Sequence, residues 1–250
     1  MIYPELLAAK QSGIKKLAVL IDPDKVTLSS LDYLIKMAVE NRVNYFFIGG
    51  SFIVNNTLDY CLEIIGQSCN IPIVLFPGNP LQLSDKADAI LFLSLISGRN
   101  PELLIGNHVV AAPFLKTSSL EIISTGYMLI DGGVETTVSY ISNTKPIPAN
   151  KSDIAVCTAL AGEMLGLKMI YLDAGSGAIN PVGESMIKQV ATAVEIPLIV
   201  GGGIRTPEQA RKSVEAGADL LVIGNALEKE PSLLHELAGA VHRFSMQQIE

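Results

Sequence analysis

The residues with the clearest chemical meaning in this sequence are three glycine clusters in its last third. They read Tyr171-Leu-Asp-Ala-Gly-Ser-Gly177, Gly201-Gly-Gly-Ile-Arg205 and Gly224-Asn-Ala226. Each cluster follows a short apolar run and precedes a helical pattern, so each is a strand-to-helix turn with few side chains to screen its backbone. Backbone N–H groups at such turns, together with helix N-termini, bind anions. The three clusters therefore predict a phosphate-binding site.

Oxygen ligands for a metal ion follow the first two predicted strands. The first strand ends in Ile21-Asp-Pro-Asp-Lys25 and the second in Gly49-Gly-Ser51. Because these strand ends are neighbours, Asp22 and Ser51 offer hard oxygen donors, which suit Mg²⁺ and do not suit zinc. The alternative is that Asp22 and Asp24 only form a turn and a cap before the next helix. Local chemistry leaves both interpretations open.

Asp173 is the only acidic residue inside the glycine clusters. A carboxylate repels phosphate, so a role in binding alone is unfavourable. It suits a general base, or an acceptor that orients a hydroxyl of a phosphorylated substrate; the alternative is a cap without proton transfer. Tyr171 lies two residues earlier, on the same side of the strand, and either binds phosphate or fills the interior. Arg205 either closes on phosphate or is a solvated cap.

Short apolar runs alternate with helical patterns along the whole chain, which predicts a (β/α)8 TIM barrel formed by residues 1–250 as one domain. The predicted strands are Leu17–Ile21, Tyr45–Ile48, Ile73–Leu75, Ala89–Leu93, Glu121–Leu129, Met169–Leu172, Leu198–Val200 and Leu220–Ile223. The predicted helices are Ser29–Glu40, Leu58–Gln67, Pro101–Ala111, Asp153–Leu165, Glu184–Val194, Pro207–Ala216 and Ser232–Gln248. Ser29 and Thr206 are the expected N-caps of their helices.

Two segments interrupt this alternation. Phe76-Pro-Gly-Asn-Pro80 follows the third strand and leaves little room for a helix before the fourth, so we expect the barrel to be modified around its third helix. Asp131–Ser152 is rich in glycine, proline, serine and threonine, and is expected to be a long loop or lid at the active-site face.

Composition excludes several classes of protein. A formal net charge of −7 argues against nucleic-acid binding and against an electrostatic membrane anchor. No apolar run approaches the ~18 residues of a membrane span, and charged residues interrupt the N-terminus, so neither a transmembrane segment nor a secretory signal is expected. Cys61, Cys69 and Cys157 lack metal-ligand spacing and fit reduced, buried thiols of a cytoplasmic protein. The mean hydropathy of +0.39 is high and predicts buried strands, a homo-oligomer interface or a groove for an apolar substrate.

The order of these motifs resembles the geranylgeranylglyceryl phosphate synthase family, also called the PcrB-like prenyltransferases. The resemblance extends from about Ala18 to Ala226, and the forms of Ala174–Gly177 and Leu95–Glu102 look like the longer of the family's two groups. The motifs that carry it are Ile21–Lys25, Gly49–Ser51, Phe76–Asn79, Tyr171–Gly177, Gly201–Arg205 and Gly224–Asn225.

The resemblance implies a Mg²⁺-dependent prenyltransferase of phospholipid biosynthesis. The sn-3 hydroxyl of sn-glycerol 1-phosphate would attack C1 of a polyprenyl diphosphate, geranylgeranyl diphosphate in the family name, forming an ether and releasing diphosphate. Asp22 and Ser51 would hold Mg²⁺, and Asp173 would be the catalytic carboxylate, often glutamate in the family. The residues implied in substrate binding are Tyr171, Leu172, Asp173, Ala174, Gly175, Ser176, Gly177, Gly202, Gly203, Gly224 and Asn225.

Three alternatives remain open on the residues alone. Another sugar-phosphate barrel enzyme would use Asp22 and Asp173 as its acid and base. A barrel that binds flavin mononucleotide would carry similar glycine turns. A non-catalytic barrel would bind phosphate or lipid and release no diphosphate.

Overall fold

The short apolar segments form a closed parallel barrel. In the computed structural model, which describes residues 1–51, 54–55, 57–80 and 82–247, eight strands pair in chain order and the last closes on the first. They are β1 (Lys16–Ile21), β2 (Tyr45–Ile48), β3 (Ile73–Leu75), β4 (Ala89–Leu95), β5 (Glu121–Leu129), β6 (Met169–Asp173), β7 (Leu198–Gly201) and β8 (Leu220–Ile223). The predicted (β/α)8 TIM barrel is confirmed, and several strands extend one or two residues beyond the predicted ends.

Helices pack around the barrel and at its ends. They are α1 (Ile2–Gln11), α2 (Leu28–Glu40), α3 (Leu58–Ser68), α4 (Asn107–Thr117), α5 (Thr137–Ser142), α6 (Ser152–Met164), α7 (Glu184–Ala193), α8 (Pro207–Glu215), α9 (Asn225–Lys229) and α10 (Leu234–Gln247). Most lie within two residues of the predicted ranges. The predicted end of the last helix at Gln248 lies outside the described residues.

The two predicted N-caps have different outcomes. Thr206 caps α8 as expected, with its hydroxyl accepting from the backbone N–H of Gln209. The prediction of Ser29 is wrong: Thr27 caps α2, because its hydroxyl accepts from the backbone N–H of Ser30 while the Ser30 hydroxyl accepts from that of Thr27. This reciprocal pair satisfies two N–H groups that the first turn leaves unbonded.

Helix α1, which was not predicted, closes the amino-terminal end of the barrel. Its buried Ile2 and Leu6 pack with the side chains that fill the barrel interior, among them Tyr45. The Glu121 carboxylate at the start of β5 accepts from the backbone N–H groups of Ile2 and Tyr3. A carboxylate at a helix N-terminus is favourable because it meets both free N–H groups and the positive end of the helix dipole.

The connection from β3 to β4 departs from the regular barrel. Residues 76–80 and 82–88 contain no helix, which confirms the expected modification at this place. After β4 the chain forms a π-helical segment, Glu102–Gly106, and then α4. The predicted end of this helix at Ala111 is wrong, since α4 continues through Pro113 to Thr117.

The segment predicted as a long loop, Asp131–Ser152, is only partly irregular. It contains α5, which begins at a reciprocal pair between Thr136 and Ser139 and ends at Asn143 in the left-handed conformation, with φ of 49°. A single bridge from Ile130 to Ile147 ties the segment to the end of β5. The polar composition of the segment predicted a loop and did not indicate the short capped helix beside the carboxyl end of the barrel.

The cysteine prediction is correct in part. All three thiols are free; Cys61 is buried and Cys69 half-buried, but Cys157 is exposed on α6, against the prediction. Burial raises the pKa of Cys61 to about 12, which leaves that thiol protonated and unreactive. Within the described part of the chain, no helix has the length and apolar character needed to cross a membrane.

A buried charge cluster supports the amino-terminal end of the barrel. The Asp219 carboxylate, 3% exposed, lies 3.1 Å from the ammonium groups of both Lys10 and Lys15 and accepts from the backbone N–H of Leu198 at 3.0 Å. It therefore joins α1, β7 and the turn that precedes β8. Removing one partner of a buried ion pair costs much more than losing an exposed pair.

We expect Asp219→Ala to lower the free energy of unfolding by about 3 kcal/mol, because two ammonium groups lose their shared carboxylate. Urea unfolding followed by circular dichroism measures this. Glu40→Ala is the matched control: Glu40 meets Lys36 at 3.9 Å on the exposed face of α2, and its loss should cost no more than about 0.5 kcal/mol. Equal losses in the two variants would show that the buried cluster does not stabilise the barrel.

Candidate active site

A polar cavity opens at the carboxyl ends of the strands, which is the functional face of TIM barrels. We call it the polar cup. The predicted residues that border it are Asp22, Ser51, Tyr171, Asp173, Gly175, Ser176, Gly177, Gly202, Gly203, Gly224 and Asn225. Two others in the predicted set lie behind its wall: Leu172 packs between the strands and the helices, and Ala174 is buried with its N–H donating to the carbonyl of Gly201 at 3.1 Å.

The glycine turns after β6 and β7 pack directly on each other. Gly202 has a φ of +79°, and a Cβ built there would lie 2.5 Å from Asp173 Oδ1 and 2.6 Å from the backbone nitrogen of Gly175. Gly175 itself has a φ of +87°, which residues with side chains rarely adopt. A side chain at position 202 would thus displace the neighbouring turn as well as any anion above it.

The third cluster is linked to the first across the mouth of the cup. Gly224 precedes the short helix α9, and Asn225 is its first residue. The Asn225 side-chain amide nitrogen donates to the Ser176 hydroxyl at 2.9 Å. This contact joins the turn after β6 to the start of α9. Polar side-chain atoms and the free N–H groups of the first turn of α9 therefore lie at the edge of the cup.

Asp173 is buried, and each of its carboxylate oxygens has a protein donor. The Tyr127 hydroxyl donates to Oδ2 at 2.7 Å, and the backbone N–H of Gly175 donates to Oδ1 at 2.7 Å. Burial raises the pKa of Asp173, while these two hydrogen bonds act in the opposite direction. Each oxygen keeps a further lone pair, so the carboxylate can still accept a proton or a hydrogen bond.

Tyr171 fills the barrel interior. Its ring is 1% exposed, stacks on Phe76 with centroids 5.4 Å apart, and meets the ring of Tyr127 edge to face at 5.4 Å. Its hydroxyl lies beside Gly201, where a Cβ would approach it to 2.5 Å. The interior position that the sequence left open is therefore the observed one, and Tyr171 also borders the cup.

Asp22 and Asp24 have different surroundings. Asp22 Oδ1 accepts from the backbone N–H of Asp24 at 3.1 Å, and Oδ2 pairs with the Lys25 ammonium at 3.1 Å. Asp24 instead accepts from the Thr57 hydroxyl before α3. Partial burial acts to lower the pKa of Lys25, but Asp22 and the nearby Glu228 raise it. Asp22 therefore forms the predicted turn and also faces the cup, whereas Asp24 holds the loop before α3; the cap of α2 is Thr27.

The donors at this edge fit a magnesium ion that is shared with a substrate. The described residues contain no group of three or more histidine, cysteine, aspartate or glutamate side chains that could hold a metal. Mg²⁺ does not need such a cage, because it commonly binds one or two carboxylates, several waters and substrate phosphates. Asp22 and Ser51 both border the cup, and Gly50 lies against the Asp22 carboxylate, so that a Cβ there would be 3.2 Å from Oδ2.

An apolar groove adjoins the polar cup. It runs over the outer side of β4, where the helix after β3 is replaced by a loop, and is bordered by β4, the π-helical segment, α4 and α5. Phe76 and Tyr127 border both cavities. His108 also borders the groove: it is 8% exposed, it meets the Ser94 hydroxyl at 3.1 Å, and burial lowers its pKa.

Sequence reasoning missed Tyr127 and His108. His108 lies on α4 and borders the groove, a position that no sequence pattern indicated. Tyr127 lies near the end of β5 and pairs in register with Tyr171 on β6. The available signal was a tyrosine two residues before the end of this strand, where it points to the same barrel face as the last side chain, Leu129.

Comparisons with known proteins agree with this geometry. The PcrB family model matches residues 12–241. A protein named geranylgeranylglyceryl phosphate synthase from Chitinophaga pinensis is 58% identical over 241 residues, covering 96% of each chain. One of the same name from Thermococcus gammatolerans is 43% identical over 216 residues, covering 86% of this chain and 85% of the relative.

A solved structure with this name is also similar to the chain. A crystal structure of (S)-3-O-geranylgeranylglyceryl phosphate synthase from Thermoplasma acidophilum, in complex with substrate sn-glycerol-1-phosphate, matches with a TM-score of 0.92 and 31% identity, over 97% of this chain and 99% of that chain. The family model and the relatives cover nearly the whole barrel, including both cavities. The chain belongs to the PcrB family.

Proposed function

We propose that this protein transfers a prenyl group from a polyprenyl diphosphate, geranylgeranyl diphosphate in the first instance, to the sn-3 hydroxyl of sn-glycerol 1-phosphate. The observation that carries the proposal is the junction of two cavities of opposite polarity at Phe76 and Tyr127. One is glycine-rich and suits phosphate; the other is apolar and suits a hydrocarbon chain. The names of the relatives and the ligand of the Thermoplasma acidophilum structure support it.

The reaction exchanges one carbon–oxygen bond for another. The bond from C1 of the prenyl chain to its diphosphate oxygen breaks, the acceptor oxygen bonds to C1, and the acceptor proton passes to a base. The cup would bind the glycerol phosphate through the turns at Gly177, Gly203 and Asn225, so that its free hydroxyl points toward the groove. Positioning of two bound reactants supplies much of the rate in such a transfer.

Asp173 is the proposed proton acceptor, or the group that orients the attacking hydroxyl. Its burial, which raises the pKa of the carboxyl, strengthens it as a base. An allylic carbon that ionises early needs little help from a base, so orientation is expected to contribute more than proton removal. Exclusion of water by the groove would protect the developing cation from hydrolysis.

Asp22 and Ser51 are the proposed magnesium ligands on the protein. When bound, Mg²⁺ would stabilise the negative charge of the departing diphosphate. Asp22 contributes a full negative charge and Ser51 a neutral oxygen, which leaves positions for diphosphate oxygens and water. Lys25, which pairs with Asp22 and Glu228, borders the same cup and would add positive charge beside the leaving group.

The proposal extends to assembly and location. We expect a homo-oligomer of the longer-type group that works in the cytoplasm. Apolar side chains on the outer face of the π-helical segment and α4 support assembly: Ile105, Val109 and Val110 are 62%, 65% and 69% exposed. Exposed patches of this kind favour contact with another protein surface.

The proposed activity is tested by incubating the protein with Mg²⁺, sn-glycerol 1-phosphate and prenyl diphosphates of several chain lengths. We expect diphosphate release and an ether product by mass spectrometry, with sn-glycerol 3-phosphate as the stereochemical control. Turnover without prenyl diphosphate would favour another sugar-phosphate enzyme, and a yellow protein would favour a flavin barrel. Binding of both ligands without diphosphate release would favour a non-catalytic barrel.

We expect Asp22→Asn to raise the Mg²⁺ concentration for half-maximal activity at least about 10-fold, because a metal ligand loses its charge. Mutation of residues that only support a metal ligand already lowers metal affinity or activity by about 10- to 100-fold. Steady-state rates across a Mg²⁺ titration measure this. Asp32→Asn, which removes an exposed carboxylate on α2, is the control and should leave the titration unchanged. Superimposable titrations of Asp22→Asn and the wild type would remove Asp22 from the metal site.

We expect Asp173→Asn to lower kcat by about 10²-fold, the lower end of the range for loss of a general base, with little increase in KM for sn-glycerol 1-phosphate. Because the reactive form is ionised, kcat should fall as pH falls through the pKa of Asp173. Burial raises this pKa, so the fall should begin above the ordinary carboxyl range. The variant should lack this acid limb; an unchanged kcat at every pH would make Asp173 purely structural.

A further inference from the structure

Tyr127 links Asp173 to both cavities. It borders both the polar cup and the apolar groove, and its hydroxyl donates to Asp173 Oδ2 at 2.7 Å. The side chain is 6% exposed. Tyr127 therefore connects the carboxylate proposed to act on the acceptor with the wall of the groove proposed to hold the prenyl chain.

We propose that Tyr127 is a positioning residue for prenyl transfer: its hydroxyl fixes the orientation of the Asp173 carboxylate so that a free lone pair of that carboxylate faces the acceptor hydroxyl. This inference rests on the proposed function. It assigns to Tyr127 a role that acts through Asp173 and requires no contact between Tyr127 and the reacting atoms.

The two hydrogen bonds on Asp173 act together. An aspartate carboxylate can rotate about its last torsion, which is broad and weakly restrained on its own. With the backbone N–H of Gly175 on Oδ1 and the Tyr127 hydroxyl on Oδ2, both oxygens are held and the rotation is blocked. Hydrogen bonds to an ionised carboxylate are about twice as strong as neutral ones, so the restraint is substantial.

The direction of the hydrogen bond is defined by the surroundings of the phenol. Burial and the adjacent carboxylate raise the pKa of Tyr127 well above its ordinary value, so the phenol keeps its proton and donates it. The same bond favours the ionised form of Asp173, opposing the burial that would protonate it. Tyr127 would thus keep Asp173 both aligned and charged.

The ring of Tyr127 is itself held in place. The rings of Tyr127 and Tyr171 meet edge to face at 78° with centroids 5.4 Å apart, and the Phe76 ring lies 6.0 Å from that of Tyr127. Its backbone is part of β5, between β4 and β6. A hydroxyl on a ring packed in this way has little freedom, which is what a positioning residue requires.

The test is Tyr127→Phe, which removes the hydroxyl and keeps the ring. The free energy of a hydrogen bond to a charged group corresponds to a factor of about 10 to 100 in an equilibrium or rate constant. We therefore expect kcat to fall by about this factor, while KM for sn-glycerol 1-phosphate changes less than about 3-fold. The acid limb of the kcat–pH profile should move to higher pH, since Asp173 loses a bond that lowers its pKa.

A double-mutant cycle separates positioning from packing. In the Asp173→Asn background, Tyr127→Phe should lower kcat little further, because the two residues act as one unit. The matched control is Tyr45→Phe: Tyr45 is 1% exposed and points into the same interior, but its hydroxyl lies near Glu5 of α1 at the amino-terminal end of the barrel, away from Asp173. We expect its kcat and pH profile to equal those of the wild type.

The pH comparison must exclude other ionisable groups. Tyr171 lies next to Asp173, and the other charged side chains that border the cup are Asp22, Lys25, Arg205 and Glu228. All of them are present in the wild type and in both tyrosine variants. A shift seen only with Tyr127→Phe therefore reports the loss of its hydroxyl.

If Tyr127→Phe does not fold, 3,5-difluorotyrosine at position 127 keeps the hydroxyl, makes it a stronger donor, and should move the acid limb to lower pH. Full activity of Tyr127→Phe with an unchanged pH profile, or additive costs in the cycle, would overturn the proposal. An inactive wild type would instead overturn the proposed function, so the two failures are distinguishable.

Discussion

The arrangement of the site depends on one constraint, which is that a buried carboxylate beside an anion-binding cup must be held by protein donors. Asp173 meets this constraint through Tyr127 from the next strand and Gly175 from its own turn. Gly202 must then lack a side chain, because a Cβ there would lie 2.5 Å from Asp173 Oδ1. The glycines therefore serve the packing of the acid as well as the access of phosphate to the backbone.

The apolar groove beside the polar cup follows from a local change in the barrel. Where a regular barrel would place a helix between β3 and β4, residues 76–80 and 82–88 form a loop, and the outer side of β4 is left to line a groove. Phe76, at the beginning of this loop, stacks on Tyr171 inside the barrel. The aromatic rings separate the apolar groove from the polar cup, so that a hydrocarbon chain and a phosphate can meet at one point without sharing surroundings.

The opposite end of the barrel is closed by contacts that are expected to stabilise the fold. Helix α1 covers the interior there, with Glu121 at its N-terminus, and Asp219 holds Lys10 and Lys15. These contacts join residues that are far apart in the sequence. They close the amino-terminal end of the barrel, which has no part in the proposed chemistry. This division agrees with the general behaviour of TIM barrels, in which the carboxyl ends of the strands carry function and the amino ends carry stability.

By itself the sequence determined the barrel, the order of its strands and the glycine turns, because period, apolar runs and turn chemistry are local properties. It also placed Asp22, Ser51 and Asp173 at strand ends. Only the tertiary structure decided that Asp24 holds the loop before α3, that Tyr171 packs inside, and that Tyr127 holds Asp173. Such contacts join residues as far apart as positions 127 and 173, and they depend on strand register and side-chain packing, which no local pattern encodes.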